Sequence, residues 1–189
     1  MHSSSNIGKP QIFDWLKEIG SSKINKVLDI GAGCGTYYDL FVKEHNFLTH
    51  SEWHGVEISD QCIDDYKLRE KYNHVYSTDC RMIDWNKIPQ VDVAFLGDVV
   101  HLMPVEDAID LIDNVRIKSK ITIVTLPIRK WPLPYNDEFR IERAREGWTD
   151  VDFMLCFTHH IAKKHQFNNE IGVYLMGEWY DGEVNPDHI

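Results

Sequence analysis

The chain has 189 residues, of which 43% are hydrophobic and 26% are charged, values that suit one globular domain spanning residues 1–189. The formal net charge of -10 argues against unspecific binding to a nucleic-acid backbone, because such binding needs clustered Lys and Arg. No apolar run is long enough to span a membrane and the first residues lack a secretion signal, so we expect a cytoplasmic protein without a membrane partner.

The first half of the chain alternates short β-branched runs with stretches of helical periodicity, which is typical of an α/β domain with a mostly parallel sheet. The predicted elements are a helix over residues 10–19, a strand over 24–30, a helix over 36–45, a strand over 52–58, a helix from the N-cap Ser59 to residue 72 and a strand over 74–77. Residues 1–22, with the first helix, are expected to form a lid whose Phe13 or Trp15 faces the ligand.

The second half continues this alternation and then changes character. Its predicted elements are a strand over residues 91–96, a helix opened by Pro104, a strand over 121–126, a loop to residue 134, a helix near 137–146, a short helix opened by Trp148, Thr149 and Asp150, strands over 158–167 and 171–179, and a tail over 181–189. The last two strands flank Asn168-Asn169 and form a predicted hairpin. The whole pattern predicts a doubly wound, mostly parallel, Rossmann-like sheet in three α/β/α layers, with a C-terminal antiparallel hairpin.

The cysteines and histidines do not show the spacing of a metal site. The four cysteines lie far apart and form no C-x-x-C pair, which predicts reduced thiols. His159, His160 and His165 are close in sequence, but neighbouring residues of a strand point to opposite faces. We therefore predict surface histidines in the hairpin and no metal site.

The most informative motif is VLDIGAGCG at residues 27–35. A buried strand that enters a glycine-rich turn and a helix lets the backbone approach a ligand closely. Dinucleotide-binding enzymes place a third glycine where this chain has Thr36, so a nicotinamide-dependent oxidoreductase is a less favoured hypothesis. The charge of Asp29 suits a cationic ligand better than a phosphate. Glu57, at the end of the second strand, can accept hydrogen bonds from two ribose hydroxyls.

These segments resemble the class I S-adenosylmethionine-dependent methyltransferases over residues 24–177. The matching motifs are VLDIGAGCG, HGVEIS, STDCRMID and VDVAFLGDVVHLMPVEDA. The resemblance implies that the glycine turn holds the methionine part of S-adenosyl-L-methionine, Glu57 the ribose and Asp79 the adenine amino group, with Asp98 beside the transferred methyl. The residues assigned to the cofactor on this basis are Asp29, Gly31, Ala32, Gly33, Gly35, Glu57, Ile58, Asp79, Cys80, Arg81 and Asp98.

The later segment is similar to a subgroup of that family with a D-V-L-E-H element after strand four and a W-T-x-x-D element before the final hairpin. This chain has Trp148-Thr149 followed by Asp152, but its fourth strand ends in Asp98-Val99-Val100-His101-Leu102 and departs from the subgroup at the last three positions. His101 follows Asp98 at the sheet edge and is the candidate base for an acceptor that loses a proton. The alternative is a histidine that only lines or caps the pocket.

The acceptor is constrained mainly by what the sequence lacks. No Pro-Pro-aromatic element or Pro-Cys nucleophile follows strand four, which disfavours methylation of DNA bases. We predict transfer to an O or N acceptor on a small molecule, with protein or RNA as other acceptors. Trp131, Tyr135 and Trp148 either line an acceptor pocket or cover the core, and Arg140, Arg143 and Arg145 form either a basic patch or a solvated helix face. A non-catalytic protein that binds the same cofactor is the main alternative.

Overall fold

The computed structural model describes residues 7–128 and 148–177, and within them seven strands form one sheet in the order β3-β2-β1-β4-β5-β7-β6. The strands are β1 (Lys26–Ile30), β2 (Glu52–Glu57), β3 (His74–Ser77), β4 (Val91–Gly97), β5 (Ser119–Pro127), β6 (Ile161–Phe167) and β7 (Ile171–Met176). Strands β1 to β5 pair in parallel, and β7 is antiparallel to both β5 and β6. The predicted doubly wound sheet with a C-terminal hairpin is confirmed.

Along the chain, helices alternate with the strands, as the sequence pattern predicts. They are α1 (Lys9–Ile19), α2 (Thr36–Tyr38) with a π-helical continuation (Asp39–Glu44), α3 (Asp60–Asp65), α4 (Leu68–Lys71), α5 (Val105–Lys118) and α6 (Asp150–Phe157). Short 3-10 turns occupy Ser21–Lys23, Cys80–Met82 and Val100–Leu102. None of the helices in the described ranges is long and apolar enough to cross a membrane.

The central strands of the sheet are buried on both faces, and each face is covered by a different set of helices. Leu28 and Leu96 belong to a core cluster that includes side chains of α5 and α6. Trp53 and Phe95 belong to the cluster on the other face, which includes side chains of α1 and α2. Because β4 is buried throughout Val91–Leu96, its sequence is a continuous apolar run apart from Asp92. The three-layer arrangement follows from this double burial.

The predicted helix from Ser59 to residue 72 is divided in two, which corrects the sequence-based expectation. Ser59 caps α3 as predicted, since its side chain accepts a hydrogen bond from Cys62 N. Lys67 then adopts a left-handed conformation with φ 53°, and α4 starts after this break. The break brings the ring of Tyr72 against Gly55, where an added Cβ would lie 3.0 Å from the ring. A glycine in β2 therefore makes room for a tyrosine that a continuous helix would place elsewhere.

The hairpin also starts later than predicted. Strand β6 begins at Ile161, so His159 and His160 lie in the preceding turn rather than on a strand. His160 Nδ1 lies 2.7 Å from an Arg116 guanidinium nitrogen on the surface. The predicted helix near residues 137–146, the three arginines, Trp131, Tyr135 and the tail lie outside the described residues.

Helix α6 has a reciprocal cap that can be tested directly. Thr149 Oγ1 accepts a hydrogen bond from Asp152 N at 3.2 Å, and Asp152 Oδ2 accepts one from Thr149 N at 3.0 Å. Replacing an N-cap threonine by alanine costs about 1 kcal/mol, because a helix N–H loses its partner. We expect Thr149→Ala to lower the free energy of unfolding in urea by that amount, whereas Thr158→Ala at the exposed other end should not. Equal losses in both variants would contradict the role of the cap.

Candidate functional site

The candidate site lies where the strand order reverses. Strands β1 and β4 are neighbours, and the chain leaves β1 toward β2 in one direction and β4 toward β5 in the other. In open α/β sheets such a reversal opens a crevice at the carboxyl ends of the strands. The glycine turn follows β1, and Gly31 N and Ala32 N both donate hydrogen bonds to Val56 O, at 2.9 and 3.0 Å. Gly31, Gly33 and Gly35 have φ values of 70°, 55° and 77°, which favour glycine. A Cβ on Gly33 would meet only a carbonyl oxygen at 3.8 Å, so the backbone there is open to a ligand.

Glu57, the last residue of β2, is hydrogen-bonded to this turn. Its side chain is buried, Oε2 accepts a hydrogen bond from Gly33 N at 2.8 Å, and Oε1 accepts one from Ser59 N at 2.9 Å. A carboxylate oxygen has two lone pairs, so each oxygen retains the capacity to accept a further hydrogen bond. Ile58 follows directly and is half exposed. The pair of oxygens can therefore order the turn and bind a diol together.

Asp29 lies beneath the turn and is 1% exposed. Its Oδ2 accepts a hydrogen bond from the Tyr72 hydroxyl at 2.6 Å. Burial raises the pKa of Asp29 from 3.8 to about 7, and Glu57 adds to this rise, while the Tyr72 hydrogen bond and the Lys9 charge oppose it. Asp29 therefore changes charge near neutral pH, in contact with Tyr72.

Lys9, which the sequence analysis did not identify, brings a positive charge from α1 to the same region. The residue is 2% exposed, and its ammonium lies 5.6 Å from the centroid of the Tyr37 ring. Burial lowers the pKa of Lys9, and the charge of Asp98 is the largest opposing influence, followed by Cys34 and Asp29. No motif marks this lysine, because its position depends on how α1 packs against the sheet.

Asp98 and His101 follow β4 at the same edge. Asp98 has a φ of 56°, a strained value for a residue other than glycine, and its N–H donates to Thr125 O at 2.9 Å. The next residue, Val99, lies so close to the glycine turn that a Cβ on Gly31 would be 3.0 Å from its methyl group. His101 is half-buried on the Val100–Leu102 turn. Both candidate residues thus belong to the connection that packs on the glycine turn.

Asp79, Cys80 and Arg81 form the third part of the site, after β3. Thr78 N donates to Glu57 O at 3.1 Å, which ties this connection to β2 and places Glu57 and Asp79 at the same end of the sheet. The Arg81 guanidinium binds Asp79 Oδ2 at 2.6 Å and lowers the pKa of Asp79. Burial raises the pKa of the Cys80 thiol to about 12, so this thiol stays protonated. The Asp79 carboxylate is therefore already engaged by a neighbouring cation.

Among the aromatic residues considered for the site, the three that lie in the described ranges, Trp148, Phe13 and Trp15, have packing roles. Trp148 is 2% exposed and meets Phe153 edge to face, with ring centroids 5.6 Å apart, so it covers the core. Phe13 stacks on His45 with centroids 4.1 Å apart, and Trp15 is buried. These contacts join α1 to the helix after the glycine turn, while a lid function of α1 remains a prediction.

Comparison with known proteins gives structural relatives only. No protein-family model matches the chain, and no curated protein matches it in sequence. The PH0226 protein from Pyrococcus horikoshii OT3 is 18% identical over 89% of this chain and 86% of its own, with a TM-score of 0.64. The N-terminal domain of EvdMO1, solved with SAH bound, is 8% identical over 91% of this chain and 80% of its own, with a TM-score of 0.61.

The small RNA methyltransferase HEN1 is a further structural relative. It is 19% identical over 95% of this chain but only 27% of its own length, with a TM-score of 0.63. With the strand order and the glycine turn, these likenesses show that the chain has the fold of the class I S-adenosylmethionine-dependent methyltransferases.

Proposed function

We propose that this chain is an S-adenosylmethionine-dependent methyltransferase that transfers a methyl group to an O or N acceptor on a small molecule. The observation that supports the proposal most strongly is the hydrogen bond from Gly33 N to Glu57 at 2.8 Å, which joins the ends of β1 and β2 beside the topological switch point between β1 and β4. This contact leaves Gly33 open on its outer side and acceptor capacity on both Glu57 oxygens. An adenosine ribose next to a glycine turn requires these two features.

The residues present fit the cofactor by charge and shape. Gly31, Gly33 and Gly35, with Ala32 between them, would hold the methionine part, and Glu57 would hold the ribose. Asp79, Cys80 and Arg81 would border the adenine, next to a cavity of about 90 Å³ that Cys80, Arg81 and Trp85 help to line.

The chemistry divides between the cofactor and the protein. When bound, S-adenosylmethionine supplies an electrophilic methyl group on its sulfonium, so the protein mainly has to align an acceptor and exclude water. The fixed backbone of Asp98 would position its carboxylate near that group, and His101 would take the proton that a hydroxyl or ammonium acceptor releases. EvdMO1 was solved with SAH bound, which supports the same cofactor for this fold.

Ligand binding tests the proposal. Isothermal titration should show binding of S-adenosylmethionine and S-adenosylhomocysteine in preference to NADH. Gly33→Arg should abolish binding because its side chain fills the open face of the turn, and Glu57→Gln should weaken it by about tenfold to a hundredfold because charge-assisted hydrogen bonds are lost. Glu70→Gln, at an exposed carboxylate on α4, is the matched control.

Two outcomes would contradict the proposal. Binding of NADH alone would favour an oxidoreductase, although Thr36 stands where such enzymes place a third glycine. Binding of the adenosyl ligands without any transfer of a labelled methyl group to hydroxyl or amine acceptors would favour a non-catalytic binding protein. Circular dichroism of the variants separates a lost contact from a lost fold.

A further inference from the structure

A second cluster of potential ligands lies at the other end of the sheet. Glu52 begins β2, His54 lies two residues later on the same face, and His74 begins β3 and pairs with His54 in register. Glu52 is five residues before Glu57, or about 16 Å along a strand, so the cluster is separate from the cofactor crevice. Glu52 Oε1 lies 3.0 Å from His54 Nε2 and 3.2 Å from His74 Nε2.

We propose that Glu52, His54 and His74 bind a zinc ion that links β2 to the edge strand β3. Two imidazoles and one carboxylate are a ligand set that zinc uses when its fourth position is open. Ligand atoms about 2.0–2.1 Å from a tetrahedral ion lie about 3.3 Å apart, close to the distances that Glu52 Oε1 makes. All three ligand atoms lie within 4.8 Å of one another. Small side-chain rotations would therefore complete the geometry.

The surroundings of His54 support metal binding. The Tyr76 hydroxyl lies 3.2 Å from both Lys87 O and His54 Nδ1, and when it donates its single proton to Lys87 O it accepts a hydrogen bond from His54 Nδ1. In this tautomer the lone pair of a neutral His54 lies on Nε2, which faces Glu52 Oε1 at 3.0 Å. Two acceptors 3.0 Å apart need a cation between them, either a second ring proton or a metal ion. An imidazole ligand held by a hydrogen bond at its other nitrogen is the usual arrangement around bound zinc.

Access to the cluster is also suitable. His54 is 3% exposed, whereas the side chains of Glu52 and His74 are 36% and 54% exposed, so an ion can enter from solvent and keep a water as its fourth ligand. Lys26 contacts the other oxygen of Glu52 at 3.7 Å and leaves Oε1 available. The imidazoles favour zinc over magnesium or calcium, which prefer oxygen ligands.

Titration of chelator-treated full-length protein with zinc chloride tests the site and does not depend on methyl transfer. Isothermal titration should show one ion per chain, and zinc should raise the melting temperature. His74→Ala and Glu52→Gln should each weaken binding by more than about a hundredfold, and Tyr76→Phe, which acts through His54, by about tenfold. His50→Ala and His159→Ala, at exposed histidines outside the cluster, should bind as the parent does.

A spectroscopic measurement identifies the ligands independently of affinity. Cobalt(II) in a four-coordinate site gives intense visible absorption, which should appear in the parent protein and be lost in His74→Ala. Absence of zinc binding would show that a proton, not a metal, joins His54 and Glu52, and would overturn the proposal. Binding that survives both ligand substitutions would overturn it as well, by placing the ion elsewhere. Both substituted residues are partly exposed, so loss of folding is not expected and can be checked by circular dichroism.

Discussion

Replacing Asp29 by asparagine should make the protein more stable at pH 8 than the parent, although the substitution removes a charge from the candidate site. Burial raises the pKa of Asp29 from 3.8 to about 7, so the folded protein holds this proton more tightly than the unfolded chain does. The stability of the parent therefore falls as pH rises from about 4 to about 7 and is level above that range. An asparagine side chain does not cause this pH-dependent loss of stability, because it stays neutral and can still accept the Tyr72 hydrogen bond.

The measurement is urea unfolding of both proteins at pH 5 and pH 8. The stability difference in favour of Asp29→Asn should grow by about 2–3 kcal/mol between these values, since one pKa unit corresponds to about 1.4 kcal/mol. Asp64→Asn, at an exposed aspartate on α3, provides the matched control and should show no such growth. If the free energy of unfolding of Asp29→Asn depends on pH as that of the parent does, a group other than Asp29 causes the pH dependence.

The sequence predicts the strands well, because their pattern has a local cause. Strands buried on both faces need apolar residues at most positions, and β5 shows such a run from Ile121 to Leu126, interrupted only by the buried Thr122 and Thr125. The glycine turn and Glu57 are also predictable, since a turn that needs positive φ values and an acid at a strand end are visible without the fold. The assigned ligand contacts of these residues remain predictions.

Other features depend on contacts between distant parts of the chain. Tyr72 reaches Asp29 only because α4 departs from α3 at Lys67, and no strong breaker such as proline marks that point. His54 and His74 are twenty residues apart, and only the register of β2 and β3 places them side by side. A spacing of twenty residues has no metal-site signature, and the prediction of no metal site is based only on the cysteines and the hairpin histidines. The zinc proposal therefore rests on the fold.

Replacing Lys9 by methionine should shift the ligand preference of the site toward S-adenosylmethionine and away from S-adenosylhomocysteine. The two ligands differ in charge, because the first carries a sulfonium and the second a neutral thioether. The buried ammonium of Lys9 interacts with Asp98 and Asp29 and partly offsets their negative charge. Methionine has a similar length and no charge, so the substitution makes the pocket more negative and favours the cationic ligand selectively.

The ratio of the two dissociation constants is the quantity to measure, because any change in the shape of the pocket affects both ligands alike. At an effective dielectric constant of about 20, two unit charges about 8 Å apart interact by about 2 kcal/mol, so a Lys9 ammonium at about that distance from the sulfonium would shift the ratio of the two dissociation constants by about tenfold or more. Lys17→Met, at an exposed position near the end of the same helix, should leave the ratio unchanged. An unchanged ratio in Lys9→Met would place the sulfonium away from α1 and remove that helix from the cofactor site. A shift of the ratio in Lys9→Met but not in Lys17→Met would instead show that the charge of Lys9, in the first turn of α1, affects how the site discriminates between S-adenosylmethionine and S-adenosylhomocysteine.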